Sequence, residues 1–290
     1  HSLGYSENDS YHFAFAVACL SLVLSIIIYY ACRSTFRQVE GTSAEMAKEE
    51  GTTEELSPAE TRERIIALCL VFAVVIFFWM AFQQNGLTLT FFADEFTAKT
   101  STGVQAMAFD VFNLVALIFI VYSLFALFQS KTAKGRAIAA VVALLSVAYL
   151  VYDYVHTAGT VVPVSAPIFQ HFNPSYVVML TPISLAIFGY LARKGKEPSA
   201  PRKIAYGMVV AAVAYGIMLV GSLGLNTPDA QRLAGDNGTF VSANWLMGTY
   251  LVLTFGELLL SPMGISFVSK VAPPKYKGAM MGGWFVATAA

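Results

Sequence analysis

Eight stretches of this chain are long, continuous and almost free of charge: about 11–32, 65–93, 105–128, 137–156, 174–192, 204–225, 244–269 and 278–290. A helix rising 1.5 Å per residue crosses a hydrocarbon layer of ~30 Å in about 20 residues. All but the last stretch meet that length. The runs are rich in Leu, Ala and Phe and do not alternate with polar residues, which argues against transmembrane strands. Only 12% of the 290 residues are charged and 57% are hydrophobic, whereas about a quarter of a soluble domain is charged. The expected fold class is therefore an all-α polytopic membrane protein.

The loop charges give the orientation. If the stretches cross alternately, one side receives 33–64, 129–136, 193–203 and 270–277, which hold 16 of the 18 basic residues. The other side keeps Lys99 and Arg232. Basic loops stay cytoplasmic, so the first stretch runs from outside to inside. Net charge is zero, and nothing points to nucleic acid. Cys19, Cys32 and Cys69 lie in or beside apolar stretches without metal-ligand spacing and read as packing residues. No metal site is expected.

Residues 38–62 form the long polar stretch, rich in glutamate, and read as a flexible linker between two helix bundles. Ser57-Pro58-Ala59-Glu60 has the form of a helix start. The sequence opens on His1 and stops at Ala290 inside an apolar stretch, so a longer parent protein is expected.

Charges near the ends of the stretches, Asp94, Glu95, Asp110 and Asp153, are within reach of water. Glu257 is not: it lies 13 residues after Asn244 and 13 before Lys270. At the centre of a span a charge costs about 2.5–3.5 kcal/mol or more unless it faces a polar cavity or a partner. No basic residue of the sequence lies at matching depth. A salt bridge with an outside partner is the structural alternative, and a functional carboxylate is the favoured one. Ser261 shares its helix face, and Pro262 removes a backbone donor beside it. Gln83, Gln84 and Asn85 interrupt an apolar stretch that includes Trp79, and Gln170, His171 and Asn173 precede or open another. Such amides serve as interhelical contacts as often as binding groups. Gly278 and Gly282 form a small-xxx-small pair suited to helix contact.

The run from Gly256 through Glu257, Leu258, Ser261, Pro262 and Gly264, then Lys270-Val271-Ala272-Pro273, then Met280-Met281-Gly282-Gly283-Trp284-Phe285, resembles the proton-dependent oligopeptide transporters of the major facilitator superfamily. Phe169-Gln170-His171-Phe172-Asn173-Pro174, the segment from Trp79 to Ala93, and Tyr11-His12-Phe13-Ala14-Phe15 are similar to further motifs of that family. The resemblance implies a partial major facilitator fold: family helix 6 in residues 1–37, the inter-bundle linker over 38–62, and an incomplete C-terminal bundle over 63–290 with an extra hairpin at 105–156. It implies a substrate cavity opened alternately to either side of a cell membrane, the inner membrane in a bacterium. Glu257 would hold the peptide's amino terminus and couple protons, and Asn173 would bond the peptide backbone. Ser261, Trp284 and Trp79 would line the pocket or gate, with Gln84 beside it. Gln83 stands where some members are acidic, which puts proton handling there in doubt.

The resulting expectation is a secondary transporter importing di- and tripeptides with protons, its partners being the peptide, protons and the lipid bilayer, with no cofactor beyond the coupling ion. The alternatives are a relative moving another small solute such as nitrate, and a membrane receptor or scaffold. An enzyme is disfavoured, because no nucleophile–histidine pair or metal cluster lies at membrane depth. The charge count makes a direct prediction. Single cysteines at positions 134 and 196 of the full-length protein should react with impermeant reagents from the cytoplasmic side alone, and one at 237 from outside. Opposite labelling of 134 and 196 would remove the hairpin crossing.

Overall fold

A computed structural model describes residues 7–33, 57–157 and 159–289, with side chains from residue 15 in the first stretch and all but Asp236 in the others. The acidic linker expected over 38–62 lies outside the described residues up to position 56. The chain divides into two units, His1–Pro58 and Ala59–Ala290. The first contributes helix α1, Glu7–Ala31, apolar from Phe15 onward.

The second unit begins with α2, Pro58–Phe82, which starts where the Ser57-Pro58 signal places it. It continues through α3, Thr88–Phe96, and the hairpin helices α4, Val111–Gln129, and α5, Ala133–Thr157. A 3-10 turn, Ala166–His171, leads into α6, Phe172–Arg193. Helix α7 spans Ala200–Gly221, the short α8 Pro228–Ala234, α9 Asn244–Val271 and α10 Lys277–Ala289. Among the described residues, six helical segments are long and apolar enough to cross a membrane.

Three local features depart from the sequence expectation. The stretch at 65–93 is two helices, not one, because the chain leaves the α-helix at Gln83–Asn85 and resumes at Thr88. The stretch at 105–128 is also divided. Asp110 is extended and its carboxylate accepts hydrogen bonds from the Phe112 and Asn113 amides, so α4 begins there. Third, a small antiparallel ladder does form, pairing β1, Thr100–Ser101, with β2, Val162–Pro163. It ties the ends of the hairpin together outside the spans.

Packing is dominated by α9. It crosses α7 along most of its length and also contacts α6 and α10, while α4 packs on α5 and along α6. In lipid, close van der Waals fit drives such contacts, since the surrounding chains are as apolar as the side chains. Glycine supplies the fit at α7–α9: a Cβ on Gly256 would stand 2.9 Å from the Gly207 carbonyl oxygen. Gly264 leaves the hollow filled by Trp284, whose ring would meet a Cβ there at 1.9 Å. Gly278 and Gly282 are different from expectation. Among the described residues an added Cβ meets nothing within 4 Å at either position, so neither makes the anticipated close contact with them. Two apolar clusters result, one around Leu68, Val75, Phe78, Leu253, Leu260 and Trp284, the other around Leu89, Phe109, Phe169, Phe172, Leu246 and Tyr250.

Gly256→Ala should therefore destabilise the full-length protein by about 1–3 kcal/mol through overpacking. Gly282→Ala should stay within about 0.5 kcal/mol. Thermal unfolding in detergent compares the two, and equal effects would contradict the crossing.

Candidate functional site

Glu257 is the fourteenth of the 28 residues of α9. Its half-buried carboxylate has no basic partner among the described residues. Hydrogen bonding comes from across the helix interface: Asn173 Nδ2 donates to Glu257 Oε2 at 3.1 Å and to Thr254 Oγ1 at 3.1 Å. Asn173 can reach because it stands in the first turn of α6, where Pro174 follows without needing a helical donor. Thr254 is fully buried and lies three residues before Glu257, on the same face.

This arrangement fixes the orientation of the amide. With both bonds made through Nδ2, Asn173 Oδ1 is left without a hydrogen bond among the described residues, as is Glu257 Oε1. Two oxygens of one site, one of them anionic when Glu257 is ionised, thus remain open. A group with several N–H donors and positive charge satisfies both; an anion satisfies neither.

Ser261 follows Glu257 by one turn, and its hydroxyl is buried without a partner among the described residues. Trp79 is half-buried, and its indole N–H has no partner among them either. Its ring packs edge-on to Phe78 and Phe82 at 5.7 and 5.4 Å between centroids. Two unsatisfied buried donors mark places where a polar group is wanted. Trp284 is 2% exposed, seated over Gly264 and edge-on to Phe72. Here it acts as a wall of the apolar cluster.

Gln84 and Gln83 belong to the break between α2 and α3. Gln84 accepts from Thr88 Oγ1 at 2.6 Å and donates to the Met80 carbonyl at 3.3 Å, while Gln83 is exposed. The structure does not bring either glutamine onto Glu257. The break itself leaves backbone carbonyls without helical partners, a large cost at membrane depth. Tyr215 Oη of α7 donates to the Ala81 carbonyl at 2.5 Å, and Tyr250 Oη of α9 donates to the Asn85 carbonyl at 2.8 Å. Neither tyrosine is singled out by the sequence reading, nor is Thr254. The available signal is the hydroxyl itself, since a tyrosine buried in an apolar helix has to bond something.

Set among helices long and apolar enough to cross a membrane, this site is that of a multi-pass membrane protein. Residues 155–290 match the family model described as POT family. "Peptide transporter YePEPT" of Yersinia enterocolitica is 33% identical over 120 residues, 41% of this chain and 22% of that protein. "Dipeptide and tripeptide permease A" of Chromobacterium violaceum is 35% identical over 129 residues, 44% of this chain and 23% of that one. A crystal structure of a POT peptide transporter with alafosfalin superposes with a TM-score of 0.51 at 21% identity, covering 98% of this chain and 45% of that chain. Another, of a POT family transporter with a thioalcohol-conjugated peptide, gives 0.53 at 17% identity, covering 98% and 47%. These superpositions establish the fold. Residues 155–290 are thus similar to the POT family. It spans under half of those solved chains, and its alignments cover under a quarter of those curated relatives.

Tyr250→Phe should leave the Asn85 carbonyl with the weaker Thr90 Oγ1 contact at 3.3 Å. A loss of about 1–3 kcal/mol is expected, with faster hydrogen exchange confined to residues near the break. Unchanged exchange there would show that the tyrosine does not hold it.

Proposed function

We propose that this chain forms the C-terminal part of a secondary transporter that carries di- and tripeptides together with protons. The observation that carries the reading is that Glu257, in mid-span, and Asn173, bonded to it through Nδ2, each keep one oxygen without a hydrogen bond among the described residues. A peptide's terminal ammonium offers three donors and one positive charge, which complements them. The peptide names of the relatives agree with this choice, whereas an anion such as nitrate would face a carboxylate. A receptor or scaffold gives no reason for an unpaired carboxylate at this depth.

The same residue supplies a means of coupling. A mid-span carboxylate is stabilised by a proton or by a substrate ammonium, so the arriving ammonium displaces the proton of Glu257 to another group of the full-length protein, and peptide and proton then move together. Asn173 positions the carboxylate through Oε2 in both cases. Closing the site against water strengthens the ammonium contact, and the proton gradient gives the movement its direction.

Glu257→Gln in that protein should bind dipeptide more weakly by about 2–5 kcal/mol, much of it from the unpaired ammonium, and lose uptake driven by a pH gradient. Asn173→Ala should cost less, about 0.5–1.5 kcal/mol for a neutral hydrogen bond. Proteoliposomes with folded variants, checked by thermal melting, measure both. Wild-type binding and accumulation by Glu257→Gln would refute the ammonium site.

A further inference from the structure

A second polar group is buried at the opposite, basic end of the bundle. Gly195, in the left-handed conformation, ends α6 and lets the chain turn back into α7. The turn brings Glu197 to Lys203, which lies in the first turn of α7 with 3% of its surface exposed. Lys203 Nζ is 2.5 Å from Glu197 Oε1, 3.5 Å from Met263 Sδ and 4.3 Å from the centre of the Phe188 ring. Beside it a cavity of about 340 Å³ runs between α6, α7 and α9, walled mainly by Leu185, Phe188, Leu258, Pro262 and Met263. Leu185 is 69% exposed and Pro262 is exposed, so the cavity is an open groove.

The groove is not the site at Glu257. Leu258 and Pro262 each follow Glu257 and Ser261 by one residue, a rotation of about 100° around α9. Glu197 and Lys203 line the groove from the segment 193–203, which also carries Arg193, Lys194, Lys196 and Arg202, a net charge of +4 over the segment. Arg193, Lys194, Lys196 and Arg202 are exposed. An apolar channel with a cationic mouth at the cytoplasmic end of membrane helices has the chemistry of an anionic lipid site.

We propose that this groove holds an anionic phospholipid of the cytoplasmic leaflet. One hydrocarbon chain lies between α6 and α9 against Phe188, Leu258 and Met263, and the headgroup phosphate meets Lys203 at the mouth. The ammonium has three donors. Glu197 takes one and the Met263 sulfur accepts another weakly, which leaves Lys203 able to bridge carboxylate and phosphate. A free phosphate gains nothing from the apolar walls, and a zwitterionic lipid brings a cation to a site already at +4.

The experiment uses native mass spectrometry of the purified full-length protein with phosphatidylglycerol, with phosphatidylcholine of the same chains, and with inorganic phosphate as competitor. Phosphatidylglycerol should be retained in preference. The double variant Lys203→Gln/Glu197→Gln, which keeps the net charge at +4 and removes the ammonium that meets the phosphate, should lose about fivefold in phosphatidylglycerol binding while phosphatidylcholine binding stays unchanged. Glu197→Gln alone should increase the preference, and Leu185→Trp, which fills the groove, should weaken both lipids. Equal retention of the two lipids, an unaltered double variant, or displacement by millimolar phosphate would overturn the proposal. Lipid retention is measured without peptide, so its outcome is separate from that of the transport reading.

Discussion

A carboxylate in the middle of a 28-residue apolar helix has to find its hydrogen bonds inside the protein. Here they come from Asn173, and much of the bundle serves to bring that amide within reach. The 3-10 turn Ala166–His171 aims the start of α6 at the centre of α9. The Gly207–Gly256 crossing holds α9 against α7 on the other side. Thr254 takes the second amide proton, so Asn173 presents oxygen and not nitrogen to the open side of the site. The polarity of the site thus follows from one hydrogen-bond arrangement, and that polarity selects a cationic group.

The backbone obeys the same rule as the carboxylate. Interrupting a membrane helix at Gln83–Asn85 exposes carbonyl groups that lipid cannot satisfy, and Tyr215 and Tyr250 bond them from α7 and α9. Both tyrosines stand on helices that also pack around Glu257, so the break between α2 and α3 is tied to the helix carrying the site. Outside the spans the bonds are of another kind. Gln231 donates to the Glu95 and Thr239 carbonyls, and Arg232 pairs with Glu95, joining α8 to the end of α3 where water competes for every partner.

What could be read from the sequence depends on how local its cause is. Transfer into hydrocarbon is summed along a segment, so the spans and the charge-biased loops are visible without any contact being known. The depth of Glu257 is equally local, whereas Asn173 was attached to it through the family resemblance. Partnerships across the bundle were not visible. Tyr250 and Asn85 are 165 residues apart, and the break they stabilise looked like a continuous helix. Lys203 counted as one more loop charge, yet the turn at Gly195 folds it into α7 and buries it. Gly278 and Gly282 had the spacing of a contact pair, while the contacts were made by Gly207, Gly256 and Gly264, whose spacing gave no sign. Periodicity identifies a helix face, but only the register between helices decides what that face meets.

The central claim is that Glu257 recognises a substrate's ammonium group. The most direct measurement is a cycle that removes each partner in turn: dissociation constants of a dipeptide and of its N-acetylated form, for wild-type and Glu257→Gln full-length protein. The account predicts that the wild type favours the free amine by about 30-fold or more and that the substitution removes nearly all of that preference. If the substituted protein kept the same preference for the free amine, the ammonium would be bound elsewhere and the claim would be wrong.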